Sequence, residues 1–228
     1  MVTNLRIATL NTWGTRGDWK ARRPILQRGF EALSPDLITL QETIVTDGYD
    51  QAREILSLAY HLIHQSAREP DGQGVTTASR WPIGQALEVD LHLTPRTASF
   101  ASTCLITEIL VPEPLGRIWL ANHLPDWQLD HEHERQLQAT AAARALARLN
   151  ADRPGHLIVA GDLDADPGHQ RSVLDGPPRP RRAQRLLPRR LGECPPRRAR
   201  AHLRPRESVR RRLGLAFPAD RLHPRRLR

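Results

Sequence analysis

Two cysteines in 228 residues, Cys104 and Cys194, are too few and too far apart for a disulfide framework or a cysteine metal site. A reducing, cytoplasmic setting is therefore expected. No apolar run approaches the roughly 18 residues that would cross a bilayer, so no membrane span is expected. The opening Met-Val-Thr-Asn-Leu-Arg lacks the basic and then apolar pattern of a signal peptide. Internal repeats are absent. Residues 177–228 hold nine prolines, one aromatic (Phe217) and no isoleucine, with no period of 2 or 3.6. That composition excludes a packed core there. The rest of the chain is long enough for one sizeable domain.

The formal charge of +9 is uneven. Residues 171–228 carry 19 Arg, no Lys and 4 acids, a balance of +15, whereas residues 1–170 carry 15 basic residues and 21 acids, a balance of −6. The basic character belongs to the tail alone. Such a segment favours a nucleic-acid partner.

Along the chain, Leu5 to Leu10 is a predicted strand ending in Asn11-Thr12-Trp13-Gly14. Lys20 to Leu33 is a helix with Ile25, Leu26, Phe30 and Leu33 apolar, Pro24 in its first turn, and Ser34-Pro35 beyond it. Asp36 to Glu42 is a second strand, Gln51 to Ala59 a short helix, and Tyr60 to His64 and Gly72 to Ser79 further strands. Leu87 to Leu93, Thr103 to Val111 and Arg117 to Ala121 read as consecutive antiparallel strands, the last ending in Asn122-His123-Leu124. Asp130 to Asn150 is the longest helix, with Asp130 as its N-cap and Glu132 and Glu134 in its first turn. Strands of mixed length with two or three helices argue for an α/β sandwich.

The densest chemistry lies in Ile158-Val159-Ala160-Gly161-Asp162-Leu163-Asp164-Ala165-Asp166-Pro167-Gly168. An apolar run of this kind is a buried strand. Acids spaced by two face one side of an extended chain, and clustered carboxylates suit a hard cation such as Mg²⁺. The alternative is a polar turn closed by Pro-Gly. Asn11, Glu42 and His123 stand at other predicted strand ends, and with Asp162 and Asp164 they are the residue types of a divalent-metal phosphoesterase. Glu42 and the aspartates supply oxygen ligands. Asn11 can hold a ligand or a phosphate oxygen, and His123 can bond a phosphoryl oxygen. The His131 and His133 pair faces different sides of a helix and reads as a solvated helix start. Arg135 and Gln136 read as packing residues, Arg80 as structural, and Trp13 and Trp127 as either core or cleft mouth.

Thr9-Leu10-Asn11-Thr12-Trp13, Leu40-Gln41-Glu42, Ala78-Ser79-Arg80-Trp81-Pro82-Ile83, Asn122-His123-Leu124 and Ala160-Gly161-Asp162-Leu163-Asp164 occur in that order. Over about residues 5–170 they resemble the motifs of the endonuclease/exonuclease/phosphatase, or DNase I-like, superfamily. The resemblance implies a four-layer α/β sandwich, two packed mixed β-sheets flanked by helices. It implies Mg²⁺-dependent cleavage of phosphate esters, with Mn²⁺ as a substitute. Glu42 would be the principal metal ligand, with Asn11 and Asp162 beside it. Asn11 and His123 would contact the substrate phosphate, and Asp162 would orient or activate the attacking water. Asp164 stands where the family usually has Asn, a change that either tightens the metal or weakens phosphate approach. Asp166 is turn chemistry.

The family pattern closes on an Asp-His pair, and none follows Asp164 here; the later histidines are His169, His202 and His223. The domain over 1–170 is accordingly expected to be truncated and its activity weak or absent. Back-translated and shifted by one base, Asp220 to Arg225 permits Ile-Asp-Tyr-Ile-Leu-Val, an apolar strand. Residues 171–228 are thus read either as a frameshift product or as an Arg-rich arm. The second reading makes the chain a catalytically dead nucleic-acid-binding protein. In either case a monomer is expected.

Overall fold

The structure is a computed structural model, and residues 4–165 are described. Thirteen elements span them: β1 (Ile7–Asn11), α1 (Trp19–Leu33), β2 (Leu37–Thr46), β3 (Tyr49–Asp50), α2 (Gln51–Ile55), β4 (His61–His64), β5 (Gln73–Ser79), β6 (Ile83–Asp90), a 3₁₀ turn (Pro95–Thr97), β7 (Thr103–Leu110), β8 (Arg117–Leu124), α3 (Glu132–Asp152) and β9 (His156–Gly161). Among these residues no helix is long and apolar enough to cross a membrane. The reading of residues 171–228, the Asp-His gap and Asp166 lie outside the described residues.

The strands form two mixed sheets. The first runs β1-β2-β5-β4, with β3 paired to β2, and the second runs β6-β7-β8-β9. β1 is parallel to β2 and β9 to β8, and the remaining neighbours are antiparallel. The expected antiparallel run is present as β6, β7 and β8. Strand alternation explains the layers. On β2, Ile38 and Leu40 pack with Leu26 and Phe30 of α1 and Ala52 and Ile55 of α2. On β8, Trp119 and Ala121 pack with Ala142 and Leu146 of α3. The opposite faces meet each other: Leu37 packs with Ile109, Ile118 and Leu120, and Val75 with Leu105 and Leu124. Helix, sheet, sheet, helix is therefore the order through the domain, as the sequence motifs imply.

The contact between the sheets is partly polar. Asn122 is fully buried. Its Oδ1 accepts from Gln41 Nε2 at 2.7 Å, and its Nδ2 donates to the carbonyls of Leu40 at 3.1 Å and Thr76 at 3.0 Å. One amide on the second sheet thus clips β2 and β5 of the first, and its hydrogen-bonding groups are satisfied, as burial requires.

Several local expectations need correction. β8 continues through Leu124, so Asn122 and His123 lie inside the strand rather than after it. α1 begins at Trp19, capped by Asp18 Oδ1 accepting from Ala21 N at 3.1 Å, which puts Pro24 in its second turn. α2 stops at Ile55, short of Ala59. α3 begins at Glu132 with His131 at the cap position, so Asp130 is not the N-cap. His131 is instead buried against Asp126, with Nδ1 2.8 Å from Oδ1.

In the β8–β9 pair, His123 and Gly161 are in register. A Cβ on Gly161 would lie 2.0 Å from the His123 carbonyl oxygen. The site sequence following β9 depends on that approach. Gly161→Ala should destabilise the domain by at least about 2 kcal/mol through overpacking against backbone, measured as a lowered denaturation midpoint. An unchanged midpoint would contradict this packing.

Candidate active site

β1, β2 and β9 deliver three of the candidate residues to one place. Asn11 closes β1, and its side chain is fixed in orientation: Oδ1 accepts from Trp13 N at 2.8 Å. The Nδ2 group therefore points away and donates twice, to Glu42 Oε1 at 2.7 Å and to Asp162 Oδ2 at 2.8 Å. One amide thus joins carboxylates from the two different sheets.

Glu42 reaches that position through a β-bulge. The β2–β5 register shifts between Leu40 and Thr43, and Glu42 has φ +55°. A bulge re-aims a side chain, and a left-handed non-glycine residue stores of order 1–3 kcal/mol of strain. Asp164, at φ +45°, is the second such acid. The chain at Asp162 and Asp164 is consequently not an extended strand. Both acids lie beyond the end of β9 rather than alternating along it.

Their fields show in Asp164. Partial burial, and after it the charge of Asp162, raise its pKa to about 6, with Glu42 and Asp126 adding in the same sense and Arg135 opposing. A carboxyl held there exchanges protons near neutrality.

His123 is set apart. It is fully buried, and neither ring nitrogen has a hydrogen-bond partner. Alternation on β8 turns it toward the α3 side, opposite Asn122. Burial pulls its pKa down to about 4. The structure thus joins Asn11, Glu42 and Asp162 by hydrogen bonds, sets Asp164 in the field of Asp162 and Glu42, and gives His123 no hydrogen bond to any of them.

The cleft beside Glu42 and Asp164 has a volume of about 530 Å³. Glu69, Asp71, Arg16, Phe100 and Trp127 also line it. Trp127 therefore belongs to the cleft mouth, and Trp13 is exposed on the surface with Arg22 over its ring. Arg80 is structural as expected, with Nε donating to the Pro35 carbonyl at 3.0 Å. Arg135 is buried and donates to carbonyls of the 126–129 loop.

The sequence alone did not single out Arg16, whose Nη1 lies 3.1 Å from Glu42 Oε2. The only local signal is its place between Gly14 and Gly17, both at positive φ. Nor did it single out Asp126, whose partner His131 is five residues away.

Among the described residues no group of three or more His, Cys, Asp or Glu converges on one point. Glu42 and Asp162 do converge, on the Asn11 amide. Mg²⁺ commonly takes one or two carboxylates and fills its remaining positions with water and phosphate. The residues present fit that ion.

The buried His123 carries a pH signature. Its pKa falls from 6.5 unfolded to about 4 folded, so between those values the unfolded chain binds more protons and stability drops as pH falls. Above pH 6.5 the neutral ring carries no such penalty. His123→Gln should lose less stability than the wild type between pH 6.5 and 4 in denaturation midpoints. Parallel curves would contradict this.

A sequence model of the Endonuclease/Exonuclease/phosphatase family matches residues 8–221. No curated protein sequence matches the chain. Among solved structures, the fold is similar to the human Nocturnin catalytic domain with bound sulfate, at 20% identity and TM-score 0.59, over 75% of this chain and 68% of that one. It is similar to a humanized D. rerio TDP2 carrying 14 mutations, at 18% identity and TM-score 0.60, over 72% and 68%. It is also similar to ANGEL2, a 2′,3′-cyclic phosphatase, at 15% identity and TM-score 0.59 over 72% of this chain, but spans only 54% of that chain. Ordered motifs, the two-sheet sandwich and the family match agree: the chain belongs to the endonuclease/exonuclease/phosphatase family.

Proposed function

We propose that residues 1–170 form a phosphoester hydrolase that works with Mg²⁺, or Mn²⁺ in its place, held by Glu42 and Asp162. The observation that carries this is the Asn11 amide, which donates to both carboxylates and so keeps two like charges side by side. Two anions held together beside a cleft are poised for a cation. When bound, the ion would neutralise phosphoryl charge and acidify a water.

The chain's own residues do the rest. Asn11 fixes the angle of both ligands, and its own orientation is fixed by Trp13 N. Asp164, with its pKa near 6, takes up a proton from an incoming water at neutral pH. His123 is buried, and its ring nitrogens make no hydrogen bond to these residues.

The cleft favours a compact substrate. Glu42, Glu69, Asp71 and Asp164 line it against Arg16, and the charge over residues 1–170 is −6. A long polyanion is repelled by such a surface. A small phosphodiester or phosphomonoester, of which the substrate class of ANGEL2, a 2′,3′-cyclic phosphatase, is one example, meets less repulsion. The sequence after Asp164 holds no Asp-His pair, so turnover is weak.

The test is hydrolysis of bis-p-nitrophenyl phosphate by the purified full chain with Mg²⁺. Slow release of nitrophenolate is expected, reduced by about 100-fold or more in Glu42→Ala, since groups acting as a unit fail together. Turnover indifferent to Mg²⁺ and to Glu42 would refute the assignment. No turnover, together with salt-sensitive DNA binding lost on deleting 171–228, would favour a nucleic-acid-binding chain.

A further inference from the structure

Arg16 lies in the turn after β1, and its backbone is firmly held. Arg22 donates to the carbonyls of Thr12 at 2.8 Å, Gly14 at 3.1 Å and Arg16 itself at 2.6 Å. Buried Gln51 donates to the Gly14 carbonyl at 2.7 Å. The Arg16 side chain, by contrast, is 47% exposed and spans two acids of the cleft. Nη1 is 3.1 Å from Glu42 Oε2, and Nη2 is 3.7 Å from Asp71 Oδ2. Since Glu42 Oε1 accepts from Asn11, both oxygens of the principal acid are engaged, one of them by a cation.

We propose that Arg16 is the protein's own counter-ion at Glu42, one that yields Oε2 to an arriving divalent cation and turns its freed guanidinium to the substrate phosphoryl group. This rests on the cation reading given above. A guanidinium and a divalent ion repel each other across one carboxylate, which favours withdrawal of the more weakly held of the two. The pinned backbone leaves the long side chain as the part that moves. The contact with Asp71, 3.7 Å long and on an acid 57% exposed, is a weak tether. The planar fork suits a tetrahedral phosphoryl group, which it can bond through two nitrogens. Arg16 thus has opposite effects on two ligands: it opposes the metal and favours the phosphate.

The experiment measures Mn²⁺ binding to the full chain by loss of the free-ion EPR signal. Inorganic phosphate binding to the Mn²⁺-loaded protein is then measured by calorimetry. Arg16→Gln, Arg16→Lys and Glu42→Gln are compared with the wild type, the tail being common to all. Arg16→Gln should bind Mn²⁺ roughly fivefold tighter, as expected from removing one half-exposed like charge. It should bind phosphate roughly tenfold more weakly, having lost a charge-assisted pair. Arg16→Lys should keep the wild-type Mn²⁺ affinity and recover part of the phosphate affinity. Equal or weaker Mn²⁺ binding in Arg16→Gln, or unchanged phosphate binding, overturns the Arg16 proposal; if Glu42→Gln meanwhile loses Mn²⁺, the cation reading stands. Mn²⁺ binding that is absent in the wild type, or unaffected in Glu42→Gln, overturns both.

Discussion

Everything in the candidate site hangs on one side-chain amide. Asn11 accepts from Trp13 N and donates to Glu42 and Asp162. Without that donor, two carboxylates from separate sheets would repel each other. With it, they are held at a common point. The raised pKa of Asp164 follows from the same crowding, since the charges of Asp162 and Glu42 both act on it after burial has done its part. Arg16 relieves the crowding from the other side by pairing with the second Glu42 oxygen.

Holding that point requires local concessions in the backbone. Glu42 and Asp164 take left-handed conformations that L-residues avoid. The β2–β5 ladder gives up regular pairing at a bulge. Gly161 must lack a side chain for β9 to lie against His123. Strain of this kind persists only where the surroundings over-determine it. Here the surroundings are the apolar layers on either side and the buried Asn122 clip between the sheets.

The apolar strands and their antiparallel run were legible in the sequence because burial of alternate residues leaves a pattern of period 2. The motif order also made the four-layer sandwich legible. What escaped was geometry that alternation does not encode. Asn122 and His123 look like a strand end because they are polar, yet one is satisfied by bonds between sheets and the other is simply buried. Asp162 and Asp164 look like neighbours on one face of a strand, yet β9 ends at Gly161 and Asp164 itself takes a positive φ. Asp130 looks like a cap, yet α3 starts two residues later because His131 is drawn inward to Asp126. Arg16 left almost no trace, since its role depends on a bulge 26 residues away.

The central claim is that two sheets build one cation site at Asn11, Glu42 and Asp162. Crystals of the full chain soaked in Mn²⁺ and measured at the manganese absorption edge test it most directly. An anomalous peak in contact with carboxylate oxygens of both Glu42 and Asp162 is expected. Well-ordered carboxylates with no peak between them, or a peak bound elsewhere on the domain, would contradict it.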